Sequence, residues 1–486
     1  MTCLIAPAAT SVAEAAESSR PHVLHVVVDD LRTSVGAYGD PIAQTPVMDQ
    51  LARDGTMFEH AYVQQAVCSA SRASVLTGLR PTATTVDYPY NPAFRNQISQ
   101  DNPTFPTWFE EAGAWTRMIG KVHHDSPKRI ETIDAPPSSR VTKEATYMDY
   151  AVPEHADLAR AHFKDPKGTA GTLPAFESED VADDGYVDGR NADAAIKAIR
   201  QYAREQAAGE TTDPMFISLG FLKPHLPFNA PQKYWDLYDP ASLPSFVTPP
   251  PQDAPRWVTA TYELASKYDT REQARNLPLP DDTARTLTHG YYACVSYIDA
   301  QLGRVLDALE EEGLADQTLV VLWSDHGFHL GDNGMWGKHV NYEVATRVPL
   351  MFRGPGVEAG VRVEPPVELI DLYPTICELG GVKPPAHLEG KSLVPLMQNP
   401  NAAEPDAVAV SEFPRGPRHG WSLRTATHRY VEWRKNDGSI VFRELYDHRS
   451  DPKELTNLAA DEPALLEELA ARLHEADPAS AGAAGS

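Results

Sequence analysis

Cysteine is scarce. Only four occur in 486 residues, Cys3, Cys68, Cys294 and Cys377, far apart and without a CxxC pair. That excludes a disulfide scaffold and a zinc ribbon. No apolar run reaches the length that crosses a bilayer, so no membrane span is expected. Positive charge is in deficit. The chain carries 43 Lys and Arg against 68 Asp and Glu, a net charge of -25, and no basic cluster relieves it. A duplex-binding protein needs a basic face, so nucleic acid is excluded as a partner. A small anion can still bind, but only in a local cationic pocket set against an unfavourable global field. The N-terminus, MTCLIAPAATSVAEAAESS, lacks a basic n-region, and Pro7 breaks its short apolar part. Ala13-Glu14-Ala15 nevertheless has the form of an A-x-A cleavage site. Residues 1–20 are therefore read as a disordered leader or the remnant of an export signal. The second reading makes the protein periplasmic or secreted; a complete N-terminus would leave it cytoplasmic.

Apolar residues, in contrast, are ample. At 42% of the chain they support a large core and two or more domains. HVLHVVVDD opens the folded part with a nearly continuous β-branched run, Val23 to Val28, as in a strand buried on both faces. Helix and strand patterns then alternate: MDQLARDGTMFEHAY with a stop at Gly55, TFPTWFEEAG before AWTRMIGKV, AAIKAIRQYAREQ before PMFISLGF, and a long amphipathic helix before QTLVVLWSDHG. VPLMFRGPG is a further strand. This order predicts an α/β domain with a mostly parallel sheet sandwiched by helices, over residues 21–400. The stretch from about Asp125 to Asp183 is polar and irregular, and PSFVTPPPQDAPRW reads as a surface excursion. After residue 400 the character changes. WSLRTATHRYVEWRK, an NDG turn and SIVFRELYD read as antiparallel strands, followed by the helix PALLEELAARLHEA. A smaller α+β domain is predicted over 401–476, with a disordered tail over 477–486.

In an open parallel sheet, ligands sit beyond the carboxyl ends of the strands. Three predicted strands end on polar groups: Asp29-Asp30, Asp325-His326-Gly327 and Lys223-Pro224-His225. Two adjacent carboxylates at a buried strand end repel each other unless a cation lies between them. The plain alternative is that Asp29-Asp30 caps the next turn. A second acidic strand end far along the chain favours a site for a hard divalent ion, calcium or magnesium, although His326 is a less usual ligand for one. Cys68 precedes SRASVLTG, which opens like a helix, so an anion there would sit in positive potential with Arg72 one turn on. Cys68 is either a buried inert thiol, a thiolate nucleophile, or a precursor.

CSASRASVLTG resembles the C-x-[PA]-x-R signature of the type I sulfatases, in which the cysteine is oxidised after synthesis to formylglycine. The likeness runs along nearly the whole chain, through GLRPTATT, GKVHH, SDHGFHLGDNGMWGKH, TRVPLMFRGPG and ELYDHRSDPKELTNLA. It is strongest to the iduronate-2-sulfatase branch, carried by VVVDDLRTSVGAYGD, QQAVC, LKPHLPF and SDHG. The resemblance implies an alkaline-phosphatase-like fold and a calcium site made of Asp29, Asp30, Asp325, His326 and residue 68. It implies that Arg72 and Lys121 hold the formylglycine hydrate and the sulfate. Lys338 and His225 would bind sulfate oxygens, with His225 protonating the leaving alcohol. The histidine after the motif lysine is His123 in most of the family and His124 in the iduronate branch; His124 is the assignment made here. The implied reaction is hydrolysis of a sulfate monoester, by the branch the 2-O-sulfate of a uronic acid in a polysaccharide fragment. A formylglycine-generating enzyme is the implied maturation partner. The chemistry is consistent with these residue types, because a cation and a ring of Arg, Lys and His neutralise oxygens that otherwise repel a nucleophile. Arg95 in NPAFRNQ is the candidate for the uronate carboxylate, with a solvated loop residue as the plain alternative. His22, His25 and His60 are read as ordinary histidines, Cys294 and Cys377 as packing, and His329 and His339 as neighbours of the site. Two rivals stand beside this reading: a phosphomonoester or phosphodiester hydrolase on the same fold, and a non-catalytic binder of sulfated glycans whose cysteine is never matured.

Overall fold

His22–Val28 forms a strand, β1, in which every residue is buried. In the computed structural model, which describes residues 20–84, 102–124, 149–165, 171–259, 263–400 and 406–481, β1 is flanked by parallel strands on both edges. Burial on two faces is why its sequence runs apolar without alternating. Chain order gives helix α1, Pro46–Arg53, then strand β2, Thr56–Phe58. Helix α2, Cys68–Thr77, and strand β3, Trp115–Gly120, follow. Helix α3, Val187–Ala207, leads into strand β4, Met215–Phe221. The long helix α4, Asp281–Glu311, leads into strand β5, Thr318–Ser324. Strands β6, Leu350–Arg353, and β7, Val361–Val363, complete the sheet.

The seven strands lie in the order β7-β2-β6-β5-β1-β4-β3. Only β6 opposes the rest, pairing antiparallel with both β5 and β2. The mostly parallel sheet expected from helix-strand alternation is therefore present. Helices α3 and α4 pack together over one face, where Leu24, Val26, Ile199, Tyr202, Ile217, Val295 and Leu302 share a core. A second core on the other face includes Val27, Val75, Leu76, Phe216, Trp323 and Leu372. The stop at Gly55 has a tertiary cause. A Cβ there would meet the Phe352 carbonyl at 1.9 Å, so close approach to β6 requires glycine.

The C-terminal part is an antiparallel sheet in sequence order. Its strands are β8, Ala409–Arg415, β9, Arg418–Arg424, β10, His428–Lys435, and β11, Ile440–Asp447. Gly438 takes a φ of 81° in the NDG turn between β10 and β11. Helix α5, Pro463–Ala476, lays Leu466, Leu469 and Leu473 on Leu423, Tyr430 and Leu445 of this sheet. The first of these strands, β8, has no counterpart in the sequence reading, which began the sheet near Trp421. A 3-10 turn, Pro478–Ala481, with Ser480 buried, stands within the segment expected as a tail. The small sheet docks on the large one through Val431, Trp433 and Tyr446, which join the second core. Trp257, in the proline-rich excursion, meets Trp433 edge-on at 5.1 Å between centroids. Charge reinforces the dock: Arg429 reaches Glu343 at 2.6 Å and Glu454 at 2.5 Å, both from a buried position.

Candidate active site

The ends of β1, β4 and β5 are joined to one another before any ligand is considered. Asp29 N donates to Phe221 O at 3.2 Å and Asp325 N to Val28 O at 3.1 Å. Leu31 N donates to Ser324 Oγ at 3.0 Å, and Asp30 N to Asp325 Oδ1 at 3.1 Å. Tyr291 of α4 donates its hydroxyl to Asp30 O at 2.7 Å and accepts from Arg32 N at 2.9 Å. Asp30 adopts a left-handed φ of 63°, a region that Asp enters more readily than most residues. The result is three fully buried carboxylates, Asp29, Asp30 and Asp325, at the carboxyl edge of the sheet, with His326 beside them.

Three cationic side chains meet this cluster. Arg72 donates Nε to Asp325 Oδ2 at 2.7 Å and lies 3.4 Å from Asp29 Oδ1. Its Nη1 also donates to Val122 O at 3.1 Å, fixing the guanidinium against the loop after β3. Lys121, on that loop, pairs with Asp29. Lys338 contacts both oxygens of Asp30, at 2.8 and 2.9 Å. Burial opposes the ionisation of Asp29, but Lys121, His225 and Arg72 outweigh it and hold its carboxyl well below the usual range. Asp30 goes the other way. Burial, together with the charges of Asp29, Glu263 and Asp325, pushes it well above the usual range although Lys338 opposes. Asp30 is thus disfavoured as an anion, first by burial and then by its acidic neighbours.

That frustration is what a divalent ion would relieve, and the donor set fits one. One oxygen each from Asp29 and Asp325, the Cys68 Sγ and a His326 nitrogen lie within 4.8 Å of one another. Asp29, Asp30, Cys68 and His225 meet the same condition. The carboxylate oxygens suit a hard ion, whereas the Cys68 sulfur does not. Cys68 is the first residue of α2, with Sγ 3.1 Å from His326 Nε2. At the thiol itself, the pull expected of the helix N-terminus on an anion is opposed. Burial, then Asp29, pushes it well above its ordinary range despite Lys121 and Lys338.

A sequence profile described as Sulfatase matches residues 21–382 of the chain. The chain belongs to the sulfatase family. A second profile, N-sulphoglucosamine sulphohydrolase, C-terminal, matches residues 331–477 of this sulfatase. The iduronate 2-sulfatase of Mus musculus is 31% identical, the match covering 90% of this chain and 91% of that protein. A sulfatase of Formosa agariphila is 32% identical over 91% of this chain and 84% of its own. Among solved structures, a phosphonate monoester hydrolase from Silicibacter pomeroyi superposes with a TM-score of 0.72 at 24% identity, covering 94% of this chain and 95% of its own. A 2-O GAG sulfatase superposes with a TM-score of 0.67 at 22% identity, covering 95% and 93%. These likenesses establish the alkaline-phosphatase-like fold, and family membership makes the protein a sulfuric ester hydrolase.

The sulfatase brings together most of the residues expected from sequence: Asp29, Asp30, Cys68, Arg72, Lys121, His225, Asp325, His326 and Lys338. His225 Nδ1 lies 2.6 Å from Leu226 O, which makes Nδ1 the donor, and Nε2 is 3.2 Å from Glu263 Oε1. Of the paired histidines, His123 interacts electrostatically with Arg72 and with His25 of β1; burial, then Arg72, lowers its pKa to about 4. Arg95 lies outside the described residues, as do residues 1–19 with the cleavage-like triplet. His25 is structural, accepting from Trp323 Nε1 at 2.6 Å and bonded to Ser218 Oγ at 3.1 Å. His329 bonds Gly337 O at 3.0 Å. Three residues at the site were missed: Tyr291, Ser324 and Glu263. Glu263 stands 3.2 Å from His225 Nε2 and 3.1 Å from Lys338 Nζ. Tyr291 could have been found as a polar tip on a buried helix face; no local signal marks Glu263. Among the described residues no helix is long and apolar enough to cross a membrane.

Proposed function

We propose that this sulfatase removes the 2-O-sulfate of a uronic acid at the non-reducing end of a short polysaccharide fragment. It would do so with formylglycine made from Cys68 and one calcium ion. The reading is carried by the Cys68 thiol of CSASR, buried as the first residue of a helix, 3.1 Å from His326 and ringed by three buried carboxylates. The substrate class is supported by the iduronate 2-sulfatases that align with nine-tenths of the chain.

Asp29, Asp30, Asp325, His326 and residue 68 would hold the calcium. Bound there, calcium supplies positive charge that lowers the repulsion between a sulfate ester and its attacker. Formylglycine at residue 68 would, as its hydrate, offer one hydroxyl for attack on sulfur and a second for release of the sulfate. The remaining work falls to the protein's own side chains. Arg72 and Lys121 orient residue 68 and the sulfate from the β3 side. Lys338 and His225 would contact sulfate oxygens, where fixed donors stabilise charge that grows in the transition state. His225 is oriented by its bond to Leu226 O, so that a proton on Nε2 is aimed at the leaving oxygen. His124, three residues after Lys121, is the second imidazole in this reading.

The net charge of -25 repels a long polyanion, with screening over about 8 Å at physiological salt. A short fragment entering the pocket avoids most of that repulsion, and Arg95 is the candidate partner for its carboxylate. A maturation enzyme that oxidises Cys68 is the one required protein partner, and Ala13-Glu14-Ala15 supports export. The test is a panel of 2-O-, 4-O- and 6-O-sulfated disaccharides, with and without the carboxylate. The 2-O-sulfated uronate should be turned over fastest. Equal rates on a neutral 6-O-sulfated hexosamine would refute the assignment, and an unchanged KM in Arg95→Ala would remove Arg95 from the pocket.

A further inference from the structure

Glu263 belongs to none of the sequence motifs, yet its carboxylate touches both side chains proposed above to receive sulfate oxygens. Oε1 lies 3.2 Å from His225 Nε2 and 3.2 Å from Lys338 Nζ, and Oε2 lies 3.1 Å from the same Nζ. The residue is only 12% exposed, and its charge is felt by Asp30. We propose that Glu263 sets the charge of the anion this pocket accepts. It favours a singly charged sulfate ester over a doubly charged phosphate ester and speeds release of the doubly charged sulfate product.

The inference rests on the reading of Lys338 and His225 as sulfate contacts. Sulfate and phosphate esters have nearly the same tetrahedral outline, so shape separates them poorly. Charge separates them well. A sulfate monoester carries one negative charge at neutral pH, whereas a phosphate monoester, with a second pKa near 6, carries close to two. A fixed negative charge on the pocket wall repels a ligand in proportion to the ligand's own charge. Glu263 therefore penalises a dianion about twice as much as a monoanion, and burial strengthens the difference. The carboxylate also occupies one side of Lys338 while Asp30 occupies the other, leaving that ammonium less charge to offer a dianion. The product obeys the same rule. Hydrolysis turns a monoanionic ester into inorganic sulfate, a dianion, at the moment it must leave.

The experiment compares 4-nitrophenyl sulfate with 4-nitrophenyl phosphate in the matured enzyme, Glu263→Gln and Glu263→Asp. The two substrates share a leaving group, so any effect of Glu263 on proton donation by His225 cancels in their ratio. In Glu263→Gln the ratio of phosphate to sulfate kcat/KM should rise about tenfold, equivalent to about 1.4 kcal/mol. The inhibition constant of inorganic sulfate, a dianion that feels the whole penalty, should fall further, about 100-fold. Glu263→Asp keeps the charge one methylene further back and should move the ratio about threefold and the inhibition constant about tenfold, in the same directions. This keeps the idea testable if the glutamine variant does not fold. An unchanged ratio with an unchanged sulfate inhibition constant would overturn the proposal, as would equal loss on both substrates, which marks a purely positioning role. Lys338→Met tests the underlying reading separately. It should weaken inorganic-sulfate inhibition whatever Glu263 does, and failure there would remove Lys338 from the sulfate site.

Discussion

Replacing Asp30 by Asn should leave stability equal or higher without calcium and lower it when calcium is bound. Asn tolerates the left-handed φ of 63°, so the backbone is not disturbed. Asp30 is fully buried, and burial with Asp29, Glu263 and Asp325 raises its pKa well above the ordinary value. A carboxyl raised in the folded state costs stability once pH exceeds its unfolded value of about 3.9, and the cost grows until the folded pKa is reached. The cation-free wild type carries that cost toward neutral pH, and Asn removes it. Against this, Lys338 loses charge-assisted bonds of 2.8 and 2.9 Å, each contributing about 1.5–3 kcal/mol, although the amide oxygen keeps one bond. Under chelation the variant should therefore be as stable as the wild type within about 1 kcal/mol, or more stable. Calcium reverses the order. At 1,000 times its Kd the ion adds about 4.1 kcal/mol to the wild type. A ligand loss that weakens affinity about 100-fold leaves the variant a gain of about 1.4 kcal/mol at the same concentration. Urea unfolding at pH 7, with chelator and with excess calcium, reads both terms. An equal calcium-induced gain in the two proteins would refute Asp30 as a ligand, and a chelated variant far less stable than wild type would refute the charge frustration.

Three further outcomes follow from the same geometry. Burial, then Lys338 and Lys121, lowers the His225 pKa well below 6.5, with Asp29 opposing. A donor must be protonated in the free enzyme, so kcat/KM should be level at acid pH and fall as pH rises, with a midpoint below about 6.5; His225→Asn should lose that limb, and a midpoint above neutrality would contradict the role. His124→Ala should lower kcat about 100-fold or more while His123→Ala acts mainly on stability, and the reverse pattern in steady-state assays would move the role to His123. Arg429→Met strands Glu343 and Glu454, which the guanidinium holds at 2.6 and 2.5 Å, and should cost about 3–5 kcal/mol in urea unfolding; a loss below about 1 kcal/mol would show that Arg424 and His448 suffice.

The sheet was legible because burial on two faces leaves a one-dimensional trace. Val23 to Val28 and Leu319 to Trp323 read as strands with no knowledge of their neighbours, and their polar ends located the site. The single reversed strand, β6, was not legible, because VPLMFRGPG carries the same apolar run whichever way it points. Gly55 was read as a helix stop, but the neighbour that demands it, Phe352, lies some three hundred residues on. The thiol of Cys68 shows the same limit. Sequence reveals the helix end that would stabilise an anion, but not the burial, nor the Asp29 carboxylate, that opposes one. Glu263, Tyr291 and Ser324 act at the site as single side chains from separate elements, and no spacing or composition announces a contact of that kind.

Mass spectrometry of an active preparation decides whether residue 68 works as formylglycine. Trypsin should release Asp54–Arg72 as one peptide, since no Lys or Arg lies between Arg53 and Arg72. In a host that matures sulfatases, that peptide should have lost one sulfur and two hydrogens from Cys68, gained one oxygen, and become reactive toward a hydrazide. Cys68→Ala, purified in parallel, should be folded and inactive. An active preparation whose Asp54–Arg72 peptide carries only the free thiol would contradict the account.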